Sequence, residues 1–192
     1  IEVINFDSRQ MYSDFPGITA QPSAEESSIC PHRLYGFLNC EEKIDAGKYS
    51  KLAAKAVQRA VSRKRIPLLV GGTGLYLKAL VQGFAKIPDV PEYIHEQVLQ
   101  ECNIKGVQAL YSWLEGLDPV SAARIHPRDK QRITRALEVL EATGRPLSWW
   151  HKQQNMQGSS YEALKIGLWQ DLQDLAPRLE KRIDKMLNSG AL

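Results

Sequence analysis

Residues 65–80 read R-I-P-L-L-V-G-G-T-G-L-Y-L-K-A-L. The apolar run from Ile66 to Val70 suits a strand, Gly71, Gly72 and Thr73 suit a tight turn, and Leu75 to Leu80 resumes with helical spacing. Immediately before it, Tyr49 to Arg65 sets Leu52, Ala53, Ala56, Val57, Ala60 and Val61 at helical steps, with Lys51, Lys55, Arg59 and Arg63 on the other side. That spacing predicts an amphipathic helix. Further towards the N-terminus, I-E-V-I-N-F at residues 1–6 reads as a buried strand that hands over to Asp7, Ser8, Arg9 and Gln10. Two strand-and-turn units joined by a helix predict an α/β fold with a parallel sheet, whose ligands bind outside the C-terminal strand ends. Residues 13–48, rich in Pro, Gly, Ser and Asp, predict loop with short strand pieces near Leu34 to Leu38.

From about Pro88 the character changes. Pro91, the Asp118-Pro119 pair and Pro127 ahead of Arg128 to Thr143 are helix-entry signals, and they predict a helical insertion of roughly 60 residues. A strand-like run returns at Leu164 to Leu168, and Leu172, Leu175, Leu179, Ile183, Met186 and Leu187 predict one more helix, bearing Arg178, Lys181, Arg182 and Lys185. The domain boundaries expected are 1–88 for part of an α/β core, 89–158 for the helical insertion and 159–192 for a return to the core. An opening inside a strand without methionine, and a close at N-S-G-A-L, are expected of a piece of a longer chain.

The 192 residues carry 25 Lys and Arg against 22 Asp and Glu, a net charge of +3 that does not by itself demand nucleic acid. No run approaches the roughly 18 to 20 apolar residues of a membrane span, and the start lacks a signal-peptide layout, so a cytoplasmic protein is expected. Cys30, Cys40 and Cys102 form no C-x-x-C pair and read as reduced thiols. His32, His95, His126 and His151 lack metal-ligand spacing, so no metal site is expected within the chain.

Asp7, at the end of a central strand, suits a general base or a metal-linked water, or it caps the turn that follows. The G-G-T-G turn either lets backbone N–H groups and the Thr73 hydroxyl approach a phosphate or serves tight strand-to-helix packing; the P-loop pattern G-x-x-x-x-G-K-[ST] occurs nowhere. Arg124 to Arg145 holds six Arg or Lys against three Asp or Glu. On a helix, Arg128, Arg132 and Arg135 form a stripe that fits a polyphosphate backbone or a solvated face, with Ile133, Ala136, Leu137 and Leu140 on a core-facing one. Trp149 and Trp150 suit stacking on a base or, as is commoner for tryptophan, core or interface packing.

Taken together, D-S-R-Q-M-Y, T-A-Q-P, P-H-R-L, the stretch from Ile66 to Leu80, D-P-V-S-A-A-R-I-H-P-R-D-K-Q-R-I-T-R-A-L-E-V and R-I-D-K-M-L resemble, nearly end to end, the bacterial tRNA dimethylallyltransferases. The resemblance implies a P-loop-NTPase-like parallel sheet core, a helical insertion that grips the anticodon stem-loop, Mg²⁺, and ATP-type nucleotide-binding architecture in a monomeric cytoplasmic enzyme. It implies transfer of a dimethylallyl group from dimethylallyl diphosphate to the exocyclic amine of the adenine 3′ of the anticodon, with that base flipped from its stack. By position, Asp7 resembles the family's general base, Thr73 the threonine near the reacting groups and Arg182 the arginine on the diphosphate. Asp7, Ser8, Arg9, Gln10, Thr73, His95, Arg128, Gln131, Arg132, Ile133, Thr134 and Arg135 fall in segments that touch tRNA in the family.

The chain departs from the family pattern in three ways. The P-loop that would cradle diphosphate and Mg²⁺ is not among these residues, so the piece alone is expected to be inactive. Gln21 stands where many members carry lysine, and His95 where a tRNA-contacting arginine is usual. The family's further C-terminal helices do not appear. Three alternatives stand beside the leading one: an RNA-binding module without catalysis, an isopentenyltransferase on free adenine nucleotides, and a nucleotide kinase on the same core.

Overall fold

The computed structural model describes residues 1–14, 16–83, 85, 87–154, 161–188 and 190. In chain order the elements are β1 (Glu2–Asn5), a 3-10 turn (Arg9–Met11), α1 (Pro16–Thr19), α2 (Ala24–Ile29), β2 (His32–Arg33), α3 (Ala46–Ser62), β3 (Pro67–Val70), α4 (Gly74–Gln82), α5 (Glu92–Leu117), α6 (Pro119–Ala122), α7 (Lys130–Thr143), α8 (Leu147–Gln154) and α9 (Leu172–Asn188). They fall into two compact units, Ile1–Gly83 with Ser159–Leu192, and Phe84–Gly158.

The first unit is built on a three-stranded parallel sheet in the order β2-β1-β3. Val3 pairs with His32 on one side and Leu68 on the other. All four residues of β1 are buried, as a strand flanked on both edges should be. Glu2, fully buried among them, is held by Arg33 Nε at 2.8 Å and Arg65 Nη1 at 3.0 Å. The carboxylate sits below its ordinary titration range, chiefly because of the hydrogen bond from Arg33, with burial opposing and Arg65 assisting.

Helix α3 starts at Ala46 because Asp45 accepts the Lys48 N–H at 2.7 Å, three residues ahead of the start read from apolar spacing. It buries Ala46, Tyr49, Ala53, Val57 and Ala60. With Ile4, Met11, Leu38 and, from α4, Tyr76, Ala79 and Leu80, the first four of these make one core. Tyr49 stacks on Tyr76 with ring centroids 4.4 Å apart. The Tyr49 hydroxyl donates to Asn5 O and the Tyr76 hydroxyl to Ile44 O, so the stack ties two helices to the sheet end and its approach loop. The strand expected near Leu34 to Leu38 is instead the short β2, with Leu38 in a single bridge to Tyr12.

In the second unit α5 packs on α7 around Ile94, Val98, Cys102, Leu110, Leu114, Ile133, Ala136 and Leu137. Helix α5 is broken at Gly106, whose φ of 82° is open to glycine and strained for other residues. Asp118, 2% exposed, accepts the Ser121 N–H, the Ser121 hydroxyl and the Ser148 N–H, and so locks α6 to the start of α8. Burial pushes its carboxyl upward, and the bonds from Ser121 and Ser148 outweigh that and leave it below the ordinary range.

Two expectations are corrected. Leu164 to Leu168 is not a strand: residues 161–170 carry no regular structure, and Leu164, Ile166 and Leu168 are at least 77% exposed. Among the described residues no strand lies alongside to accept the ladder, and an apolar run alone cannot supply one. Helix α7 begins at Lys130 rather than Arg128, because Asp129 takes the N-cap position and accepts the Arg132 N–H.

Candidate active site and nucleic-acid interface

At the C-terminal end of β1, the buried Asn5 side chain shapes the turn that carries Asp7. Its amide donates to Asp7 O at 3.0 Å and Leu34 O at 2.9 Å, and its carbonyl oxygen accepts the Asp7 N–H at 2.8 Å. Asp7 Oδ1 accepts the Arg9 N–H at 2.9 Å, which is the turn cap anticipated as one role for this residue. Among the described residues no donor reaches Oδ2, so one carboxylate oxygen remains for chemistry. Asp7 therefore has both a turn-capping oxygen and an open one.

Gly71 lets the two strand ends meet. A Cβ there would stand 2.5 Å from both Asp7 N and Phe6 C, whereas one at Gly72 would make an ordinary 3.6 Å contact with Asp7 Oδ2. This close approach brings Thr73 beside Ser8. The Thr73 hydroxyl accepts the Ser8 N–H at 2.9 Å and donates to Ser8 Oγ at 3.2 Å. Among the described residues one Thr73 lone pair is left, an acceptor suited to an amine N–H.

Gln10 donates to Thr19 O and Ala20 O, bracing a turn in which Ala20 has a φ of 53°. Gln21, standing where the resembled family often has lysine, donates to Tyr12 O at 2.6 Å and to Thr19 Oγ1. Arg9 is exposed, and Arg182 on α9 donates through Nη2 to Ile18 O at 3.1 Å. An open groove of about 410 Å³ lies in the same unit, lined among others by Gln10, Ala20, Pro22, Glu26, Tyr35 and Val70. The Tyr35 hydroxyl, which lines this groove, is held above its ordinary range by burial and then by the charge of Asp7. Sequence reasoning did not single out Asn5 or Tyr35: their partners lie far along the chain and no local pattern announces them.

In the second unit Arg128, Gln131, Arg132 and Arg135 are exposed. Arg132 Nε pairs with Asp129 at 3.2 Å, and Arg135 Nη1 with Glu138 at 3.3 Å. His95, from the first turn of α5, bonds the same Glu138 through Nδ1 at 2.7 Å. Ile133 is fully buried in the core and Thr134 is 4% exposed, its hydroxyl donating to Gln131 O. Those two side chains face the packing side of α7 and leave the neighbouring positions to present the polar face. Glu138, unremarked in the sequence, joins two of the basic candidates. Trp149 and Trp150 meet edge to face, and Arg145 lies over the Trp149 ring.

No helix among the described residues is long and apolar enough to cross a membrane. Among the same residues no three His, Cys, Asp or Glu side chains converge as a metal site.

The arrangement, a parallel sheet with a carboxylate and a glycine-threonine turn at its strand ends, is that of an α/β protein whose ligands bind outside the C-terminal ends of the strands. The chain overlays the full-length tRNA isopentenylpyrophosphate transferase of Bacillus halodurans with a TM-score of 0.60 at 35% identity, over 98% of this chain and 58% of that one. It overlays a eukaryotic dimethylallyltransferase, captured acting on tRNA, with a TM-score of 0.82 at 29% identity, over 99% of this chain and 47% of that one. The fold class is α/β, a P-loop-NTPase-like parallel sheet with a helical insertion. Residues 10–192 match the IPP transferase family, and the chain belongs to that family. Among curated relatives, the tRNA dimethylallyltransferase of Oleidesulfovibrio alaskensis is 54% identical over 99% of this chain, and that of Maridesulfovibrio salexigens 50% identical over all of it. The chain spans 62% of the length of each of these two relatives.

Proposed function

We propose that the protein carrying this chain transfers a dimethylallyl group from dimethylallyl diphosphate to the exocyclic amine of the adenine 3′ of the anticodon in tRNA. The observation that carries this reading is Asp7 at the end of the central strand, with Oδ2 open and the Ser8–Thr73 hydroxyl pair alongside, in a chain of the IPP transferase family. The names of the relatives in Oleidesulfovibrio and Maridesulfovibrio support the same chemistry.

In the reaction the amine nitrogen bonds the allylic carbon as the carbon–oxygen bond breaks, and the electron pair of that bond leaves with diphosphate. The amine proton passes to Asp7. An aromatic amine is a weak nucleophile until its proton has a destination, and a carboxylate with a free oxygen supplies one. The remaining Thr73 lone pair would orient the amine by accepting its second N–H. The Arg182 guanidinium, with N–H groups beyond the one given to Ile18 O, would offset charge on the departing diphosphate. A diphosphate leaving group calls for magnesium, which when bound would offset the charge that develops on the phosphates. The exposed face of α7, with Arg128, Gln131, Arg132 and Arg135, together with His95, would meet the anticodon stem-loop, and Ser8, Arg9 and Gln10 the flipped adenine and its neighbours. The same reading makes the protein cytoplasmic and monomeric.

The test is nucleoside mass spectrometry of unmodified tRNA after incubation of the full-length protein with dimethylallyl diphosphate and Mg²⁺. Dimethylallyl-adenosine is the expected product, and Asp7→Ala should abolish it while tRNA affinity stays within a few-fold. No product in any tRNA overturns the reading, and near-normal turnover in Asp7→Ala removes that residue from the base role.

A further inference from the structure

Glu138 lies in the run Ala136-Leu137-Glu138-Val139, whose apolar members are at most 3% exposed, and it is itself only 4% exposed. A carboxylate in such company bears a heavy desolvation cost unless its oxygens are matched. Both are matched, each by a different helix. Oε1 is hydrogen-bonded to His95 Nδ1 on α5 at 2.7 Å, and Oε2 accepts from Arg135 Nη1 one turn earlier on α7 at 3.3 Å. With Nδ1 engaged, Nε2 is the His95 ring's remaining polar atom. The His95 and Arg135 side chains are 44% and 48% exposed, so one buried group holds two surface groups at a set spacing.

Stability alone is a poor account of this placement. Ion pairs with half-exposed partners contribute little, and a packed apolar residue often replaces such a group without loss. Electrostatics is a worse one, since a negative charge beneath a phosphate-binding face repels the phosphates.

We propose that Glu138 is a positioning residue for RNA: it fixes His95 and Arg135 as a prearranged pair, so that their ordering cost is met before RNA arrives. This rests on the reading of that face as the tRNA interface.

The two accounts of Glu138 predict opposite signs. Glu138→Gln keeps the shape and one acceptor but removes the charge. If the carboxylate is merely a buried counter-charge, the variant binds RNA more tightly and with a steeper salt dependence. If it positions, the variant binds about three- to tenfold more weakly. Fluorescence anisotropy with an unmodified tRNA at several salt concentrations, on the full-length protein, reads the difference. Glu138→Met, which packs like its apolar neighbours, should retain the melting temperature and still lose affinity. In a background carrying His95→Ala and Arg135→Ala, Glu138→Gln should cause no further weakening. Unchanged or tighter binding by Glu138→Gln, or an equal loss in that background, overturns the positioning role. If the His95→Ala and Arg135→Ala protein itself binds tRNA like wild type, the interface reading has failed, and the proposal with it.

Discussion

Gly71→Ala tests the close approach of the strand ends that carry Asp7 and Thr73. The added Cβ would lie 2.5 Å from Asp7 N and from Phe6 C. Both are backbone atoms, so no side-chain rotation relieves the contact. Reaching an ordinary 3.4 Å separation requires the strand ends to part by about 0.9 Å. That movement takes two hydrogen bonds, Phe6 N–H to Val70 O at 2.8 Å and Thr73 N–H to Phe6 O at 3.2 Å, beyond useful range. Two net hydrogen bonds at about 1 kcal/mol each, added to about 1–3 kcal/mol for overpacking, give a loss of about 3–5 kcal/mol. Urea denaturation of the full-length protein measures it, with Gly72→Ala as the control: its Cβ meets Asp7 Oδ2 at an ordinary 3.6 Å, and it should shift stability by less than about 1 kcal/mol. On the proposed function, Gly71→Ala should also abolish prenyl transfer through displacement of Asp7 and Thr73. A Gly71→Ala protein within about 0.5 kcal/mol of wild type would refute the steric argument.

Glu2→Gln should cost about 1–3 kcal/mol, because a buried amide cannot satisfy both Arg33 and Arg65, although the two arginines can turn their exposed ends to water. Since Arg33 and Arg65 lower the Glu2 pKa in the folded state, wild-type stability from this group is full above the unfolded value near 4.5 and falls away as the pH drops below it. The stability–pH curve of Glu2→Gln should be flatter in that acid window, and parallel curves would remove Glu2 from the acid response. Asp118→Ala should lose about 2–4 kcal/mol by leaving the Ser121 and Ser148 donors unmatched, as thermal unfolding will register; a loss under about 0.5 kcal/mol would contradict the junction role. Arg128→Gln with Arg132→Gln should weaken tRNA binding and lower its salt slope by about 0.7–0.9 for each phosphate that is no longer neutralised, and an unchanged slope would assign both to a solvated face.

The parts of the fold legible in the sequence are those set by local spacing. The run Ile66 to Val70 became β3 at Pro67–Val70, and the apolar stripe after Tyr49 became α3. Its true start was set by the Asp45 cap, as that of α7 was by Asp129, and in each case one acidic side chain outranked apolar periodicity. Leu164 to Leu168 shows the opposite limit, because β character needs a neighbour that spacing within the run cannot reveal. Of the site, Asp7 and Thr73 were legible as residues at strand ends. The long-range polar pairs were not: Asn5, which holds the Asp7 turn, meets Leu34 O, and elsewhere Glu2 meets Arg65 and His95 meets Glu138, over separations of 29, 63 and 43 residues. A polar letter inside an apolar run reads the same in sequence whether it is a matched buried group or an exposed one.

The stacked tyrosines give this fold an alkaline boundary. Burial, and after it the neighbouring Tyr76, holds the Tyr49 phenol far above its usual range, and Tyr49 donates to the strand carbonyl just before Asp7's turn. A phenolate at that position could not donate. Above about pH 10 the unfolded chain sheds this proton while the native chain keeps it, so base progressively favours unfolding. The ultraviolet signature of phenolate formation would then arrive in two waves: exposed rings first, and Tyr49 only as the sheet gives way.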